Sequence, residues 1–372
     1  METYRLNSRV ASTDREYLIQ TVNDTTNHQI RSSIFAEGQL LETIEENVYP
    51  HLPEQELLEL VKNAHKERKE EVEHIFERYK EALTSNEPEQ IDYLALALMY
   101  KKMYNEAEVL FRRAVSLKPG GHEQQSHLGQ VLMMQRKYAE AVEVFDQCVQ
   151  AQPKFADYRN HLGEAFLAAG SCKRAMIEFD EAIAINIYYG DAYYNKALTY
   201  ILNSIRREDF KLFSEAAEKI AENLDRAIVV CPEYQDKSFE DGKKLLADGD
   251  LEGAYTKLVL AREHKKEQRF REFSSVYLKF MLVTDKIDEK TLRRRIENLK
   301  DAIAKNPHFP DLHYDLAVAY TLMGRFIHSK AIREYQEALK INPDFDRAKK
   351  SLRLAENEFR GFDVLVKAIL KG

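Results

Sequence analysis

Leu128-Gly-Gln-Val-Leu-Met-Met-Gln-Arg-Lys-Tyr138-Ala-Glu-Ala141-Val-Glu-Val-Phe145-Asp-Gln-Cys148-Val-Gln-Ala-Gln-Pro153 is the stretch that decides how this chain folds. Its residues Leu128-Gly129, Tyr138, Ala141, Phe145, Cys148 and Pro153 recur 34 positions earlier as Leu94-Ala95, Tyr104, Ala107, Phe111, Ala114 and Pro119. They recur 34 positions later as Leu162-Gly163, Cys172, Ala175, Phe179, Ala182 and Ile187. Six matched positions in three successive registers define a repeat whose units cannot bury their apolar faces alone and must stack.

The residue types predict two antiparallel helices, A and B, in each unit. Small residues at Ala95, Gly129 and Gly163 let the helices approach, and Ala107, Ala141 and Ala175 do the same on helix B. Phe111, Phe145 and Phe179 fill the space between repeats, and Pro119 and Pro153 stop helix B. On these residues the chain resembles the tetratricopeptide repeat family, bacterial type. The fold expected is mainly α: a right-handed α-solenoid of about seven helix pairs.

Working outward, the pattern loosens. Units are expected at 88–121, 122–155, 156–189, 190–234, 235–268, 269–309 and 310–345, making a solenoid over 87–345. The fourth carries about eleven surplus residues around Ser204 to Phe213. The fifth has Gly242, Ala254, Leu258 and Ala261 in place but no terminal proline. The sixth ends at Pro307, with an irregular helix A from Phe273 to Val283 and a longer loop from Thr284 to Thr291. The seventh is clear again, with Leu316-Ala317, Tyr320, Ala331, Tyr335, Ala338 and Pro343 and an insertion of two residues near Phe326–Ser329. In 346–372, Ala348, Leu352, Ala355, Phe359, Phe362, Val366 and Ile369 form the apolar stripe of a capping helix, with Gly361 as its weak point.

Residues 1–86 read as a separate module. Tyr4–Val10, Tyr17–Val22, Gln29–Phe35 and Leu40–Ile44 are short, β-branched or aromatic runs separated by turn signals, with Glu37-Gly38 closing the last hairpin. A small antiparallel sheet is expected, followed by a long helix from Pro53 with Leu57, Val61, Ala64, Val72, Ile75, Tyr79 and Leu83 on its apolar face. Part of that helix should cover the sheet and part should cap the first repeat. The module resembles the leading modules of some bacterial repeat proteins of uncharacterised family, a resemblance that assigns no activity.

Composition narrows the function. Hydrophobic residues make up 44% and charged residues 31%, a globular profile, and no apolar run is long enough to span a membrane. The start Met1-Glu-Thr-Tyr-Arg-Leu6 does not read as a secretion signal, and Cys148, Cys172 and Cys231 are widely spaced, so a cytoplasmic location is expected. Net charge is −7, with a net −7 over 1–85 and a net +7 over 260–372. That balance argues against nucleic-acid binding and leaves the oppositely charged ends as a route to self-assembly.

Catalytic motifs are not found: there is no GxxxxGK[ST], GxSxG or HExxH. His122 and His127 lie off one helix face, and Glu71 and His74 form a single ExxH where a di-iron bundle needs two. No metal, no cofactor and no enzymatic activity are expected. Cys148 stands where its neighbours have alanine and reads as core, as does Cys172; Arg293-Arg294-Arg295 and Lys265-Lys266 read as solvated faces.

The family resemblance implies a binding surface. Ligands of such repeats lie in the concave groove lined by the A helices, at positions 2, 5, 9, 12 and 13 of each unit. Here those are Glu89, Asp92, Leu96, Met99 and Tyr100, then Glu123, Ser126, Gln130, Met133 and Met134. Asp157, Asn160, Glu164, Leu167 and Ala168 follow, then Asp191, Tyr194, Leu198, Ile201 and Leu202. The strongest candidates are Asp92, Leu96, Met99, Tyr100, Gln130, Met133, Met134, Asn160, Glu164, Leu167, Tyr194 and Leu198. The groove lacks the lysines and arginines that clamp a carboxylate terminus, and its apolar, acidic and methionine-rich lining suits a segment with apolar and basic residues. A scaffold or adaptor for a protein or peptide partner is the leading expectation, with a peptide-responsive receptor as the alternative.

Overall fold

Four strands, β1 (Arg5–Ala11), β2 (Glu16–Asp24), β3 (Gln29–Ala36) and β4 (Gln39–Asn47), pair in chain order as an antiparallel meander. The computed structural model describes residues 3–13, 15–47, 53–209, 214, 216–282, 289–305, 310–341 and 345–369. The β3–β4 turn has both central residues at positive φ, Glu37 at 51° and Gly38 at 79°. That turn twists with the strands, and glycine carries its left-handed conformation without strain. The chain separates inside a later helix into two units, Met1–Val144 and Phe145–Gly372.

In the first unit the alternation along β2 and β3 decides which sheet face is covered. Tyr17, Ile19, Thr21 and Asn23, with Ile30, Ser32 and Ile34, are buried, and α1 (Glu54–Ala82) packs on the sheet. Its buried stripe is Leu57, Val61, Val72, Ile75, Phe76 and Tyr79, and Tyr17 meets Phe76 with ring centroids 4.8 Å apart. The polar groups on this face pair off. His65 Nε2 lies 2.8 Å from Ser8 Oγ and its Nδ1 3.1 Å from Thr21 Oγ1. Burial, reinforced by Lys69, pushes the imidazole pKa down, so His65 acts as a neutral linker.

An ionic cluster ties β4, α1 and the first repeat helix, α2 (Pro88–Tyr100), together. Arg68 and Lys101 are buried. Arg68 Nη1 donates to Glu71 at 2.6 Å and its Nη2 to Glu42, while Lys101 Nζ is 2.8 Å from both carboxylates. Burial raises both carboxyls, but Lys101 first and Arg68 next outweigh it, lowering Glu42 and holding Glu71 at about 2. Because the folded pKa is depressed, the cluster's stabilisation is fully present above the unfolded glutamate pKa of about 4.3. It is lost as pH falls from there towards 2. Urea midpoints of the full chain are expected to drop over that window, and Glu71→Gln should flatten the drop. An identical acid slope in that variant would exclude the cluster as its source.

The repeats follow as α3 (Tyr104–Leu117), α4 (His122–Met134), α5 (Tyr138–Ala151), α6 (Ala156–Ala168), α7 (Cys172–Ile185), α8 (Gly190–Arg206) and α9 (Ala216–Val230). After a 3₁₀ turn at Pro232–Tyr234 come α10 (Lys237–Ala247), α11 (Leu251–Leu282), α12 (Glu289–Lys305), α13 (Pro310–Ile341) and α14 (Asp346–Ile369). Each regular helix A ends in the same left-handed cap, at Lys102, Arg136 and Gly170 with φ of 60°, 61° and 84°. The following amide closes the cap: Met103 N bonds Leu98 O at 2.9 Å, Lys137 N bonds Leu132 O at 2.9 Å, and Ser171 N bonds Phe166 O at 2.8 Å. Gly249, at φ 83°, repeats the cap between α10 and α11.

Small residues set the helix spacing. A Cβ on Gly163 would stand 2.5 Å from Phe179 Cε1, so the fully buried Phe179 ring occupies the space that glycine leaves. The phenylalanines also reach forward, Phe111 to His127 at 5.8 Å and Phe145 to His161 at 5.3 Å between ring centroids. Cys148, Cys172 and Cys231 are buried free thiols, each with its pKa pushed by burial up to about 12.

Beyond α7 the helices depart from the repeat spacing. The insertion of the fourth unit lengthens α8 to Arg206, and the chain turns at Arg207 with φ 55°; residues 210–213 lie outside those described. The α11 helix runs unbroken across the expected boundary at 268–269. No proline interrupts Ala261 to Glu272, and its residues favour helix. Likewise α13 continues through Phe326–Ser329, where the sequence places an insertion of two residues. Phe326 packs against the cluster of Leu292, Ile296, Leu299, Ala319, Leu322 and Met323, and that contact carries the helix past Gly324. Positions 284–288 of the expected loop, with Pro307 and Pro343, fall outside the described residues, as do the side chains of Phe359, Gly361, Phe362, Val366 and Ile369 in α14.

Candidate partner-binding surface

In the first unit the groove candidates lie on α2 and α4, which pack side by side. Asp92 and Met99 are buried. Asp92 Oδ2 lies 2.9 Å from His127 Nδ1, so this acid is committed to joining the two repeats. Leu96, Tyr100, Gln130, Met133 and Met134 are half-buried, and Glu123 is exposed. The helical spacing of Leu96 with Tyr100, and of Gln130 with Met133 and Met134, sets each group on one face of its helix. These side chains are half-buried on α2 and α4, and Glu123 opens α4 exposed.

The second unit differs. Asn160 and Leu167 on α6 and Tyr194 and Leu198 on α8 are buried, and Glu164 is half-buried, because α11 lies across this face. Tyr194 donates its hydroxyl to Leu258 O at 2.8 Å, inside a stack with Tyr234 whose centroids are 3.9 Å apart. Arg262 Nη1 donates to Asn195 Oδ1 at 3.1 Å. Asn195 Nδ2 donates in turn to Asn160 Oδ1 and to Glu164 Oε1, both at 3.0 Å. Lys266 Nζ reaches Glu164 Oε2 at 2.9 Å, and Lys265 pairs with Asp191 while lying 4.2 Å from the centre of the Tyr234 ring.

Here the expectation of an open groove at Asn160, Glu164, Leu167, Tyr194 and Leu198 meets the chain's own helix. The reason is complementarity. Leu258, Arg262, Lys265 and Lys266 fall at i, i+4, i+7 and i+8, one face of a helix. That face brings three cations and the Leu258 carbonyl to an acidic, aromatic surface, while the Leu258 side chain packs against Gly242 of α10. Lys265-Lys266 and Arg262 are therefore internal ligands rather than a solvated face. Burial raises the Glu164 carboxyl, but Lys266 and then Arg262 outweigh it and hold Glu164 at about 2. Burial likewise drives His161 down.

Among the described residues no group of three histidines, cysteines or acids could hold a metal ion, and no helix is long and apolar enough to cross a membrane. The sequence model of the tetratricopeptide repeat family matches residues 93–154 and 127–190, the segment in which the 34-residue period and the left-handed caps recur and Gly163 meets Phe179. Residues 93–190 are tetratricopeptide repeats. The tetratricopeptide segment thus contributes the half-buried candidates of α2 and α4 and, through α6, part of the face that α11 covers.

Among solved structures, a tetratricopeptide repeat protein from Parabacteroides merdae is 13% identical, over 73% of this chain and 100% of its own, with a TM-score of 0.36. MamA is 22% identical over 47% of this chain and 95% of its own, TM-score 0.34. The thermophilic repeat protein TTC0263 from Thermus thermophilus is 18% identical over 54% and 99%, TM-score 0.33. No curated protein matches the sequence.

Proposed function

We propose that this chain is a non-catalytic protein-interaction scaffold whose α2–α4 face takes a partner helix carrying apolar and basic residues. The observation that supports it most is internal. On repeats three and four, the corresponding A-helix face holds α11 through Leu258 at Tyr194 and through Arg262 and Lys266 at Asn195 and Glu164. The α2–α4 face leaves Leu96, Tyr100, Met133 and Met134 half-buried. Methionines adapt to the shape of an apolar ligand, and the exposed Glu123 on α4 favours a cation. Three buried free thiols support a reducing compartment, in keeping with a cytoplasmic protein.

A fluorescein-labelled peptide with the sequence of residues 251–267 carries that chemistry and serves as the probe. Anisotropy with the full chain is expected to show saturable binding, weakened by at least about tenfold in Met133→Lys/Met134→Lys. Ile177→Lys, at an exposed position on α7, is expected to leave it unchanged. Equal affinity in the Met133/Met134 variant would remove this face from the function.

A further inference from the structure

The seventh repeat keeps its signature but does not use it. In the three regular repeats, the helix-A residues Ala95, Gly129 and Gly163 are buried, and Leu98, Leu132 and Phe166 are 1%, 0% and 4% exposed. The helix-B residues Ala107, Ala141 and Ala175, then Phe111, Phe145 and Phe179, then Ala114, Cys148 and Ala182, are all buried. The counterparts on α13 are Ala317, Tyr320, Ala331, Tyr335 and Ala338. Ala317 is exposed, Tyr320 is 48% exposed, and Ala331, Tyr335 and Ala338 are only half-buried. The contact they should make is the one between Gly163 and Phe179. In a continuous helix Ala317 and Tyr335 stand about 27 Å apart, eighteen residues at about 1.5 Å each.

The outer neighbours of both halves are in place. The first half of α13 packs on α12, where Leu316 and Phe326 join the cluster of Leu292, Leu299 and Met323. The second half packs on α14, where His328 Nε2 donates to Ala355 O at 3.0 Å. What both halves lack is the burial that these positions have in the regular repeats. Closing one chain on itself would require a left-handed residue at Gly324, as at Gly170, and would withdraw Phe326 from its cluster. A second copy requires neither.

We propose that two copies of this chain exchange these halves about a two-fold axis. Residues 310–323 of one copy pack against 331–341 of the other, and the reverse pairing forms at the same time. Each Ala317 then receives the Tyr335 ring of the other copy, and Tyr320, Ala331 and Ala338 become buried without any change in α12 or α14. An opened hairpin is self-complementary, and two-fold exchange satisfies both copies at once.

Light scattering on the full chain is expected to give twice the 43.4 kDa chain mass. Ala317→Cys and Tyr335→Cys single variants, unfolded and refolded together and treated with a short bismaleimide, should yield a covalent dimer containing one of each. Native cysteines are buried and leave the engineered thiols as the reactive pair. Deleting Ile327-His328 restores the regular repeat length and should return a monomer, a readout that does not depend on the cysteine variants folding. A monomeric wild-type chain would overturn the proposal. So would an intrachain cross-link in an Ala317→Cys/Tyr335→Cys double variant refolded in excess wild type, or a dimer that survives the deletion.

Discussion

Phe179→Ala is expected to destabilise the second unit by about 3–5 kcal/mol, the range for truncating a buried phenylalanine in a core that cannot collapse around the space. Phe179 is fully buried, and its ring edge takes the room left by Gly163 on the facing helix. Neither helix can move inward: α6 already packs on α7, and α7 on α8. The loss therefore combines the transfer of the ring with an unfilled cavity. Urea denaturation followed by far-UV circular dichroism measures it, with Ile177→Ala on the same helix as a reference. Ile177 is 53% exposed, and its truncation should cost less than about 0.5 kcal/mol. Equal midpoints for the two variants would contradict the packing described.

Glu164→Gln is expected to cost about 2–4 kcal/mol and to loosen α11 specifically. Removing one member of a largely buried ionic group leaves the others uncompensated, which typically costs about 3–5 kcal/mol; the partial exposure of Lys266 lowers that figure. Glutamine retains a carbonyl acceptor for one donor, but its amide then faces Lys266 or Asn195, donor against donor. Hydrogen exchange separates this from general destabilisation: amides of 251–267 should exchange faster while those of α3 and α4 do not. The carboxyl is held at about 2 in the fold. Its stabilisation is therefore complete above the unfolded value of about 4.3 and is lost as pH falls towards 2. The variant should lose that part of the acid slope. Unchanged exchange in α11 would show that the network does not hold the helix.

What could be read from the chain is uneven for physical reasons. The meander, the long helix and the regular hairpins rest on signals that act within a few residues: alternation, the Glu37-Gly38 turn, and prolines after helix B. The left-handed caps at Lys102 and Arg136 sit on residues without a glycine signal. They stand 34 residues apart and in register with Gly170, and only the backbone shows their conformation. Of the groove candidates, Leu96, Tyr100, Gln130, Met133 and Met134 are half-buried on α2 and α4. Openness was not legible for Asn160, Glu164, Leu167, Tyr194 and Leu198. Whether a groove is empty depends on where the remainder of the chain goes.

By itself the sequence determined the repeat: a 34-residue period with small, aromatic and proline residues at fixed places dictates stacked helix pairs over 93–190. Only the tertiary structure decided that α11 covers the face of repeats three and four, and that α13 remains one helix. The covering contacts join residues 64 and 102 apart, Tyr194 with Leu258 and Glu164 with Lys266. No periodic pattern encodes such pairings. Arg262, Lys265 and Lys266 look like any solvated basic run until folding sets Asn195, Asp191 and Glu164 opposite them. Gly324 aligns with Arg136 of the second repeat, yet the helix runs on through it, and Phe326 packs against the cluster that Ala319, Leu322 and Met323 form with α12.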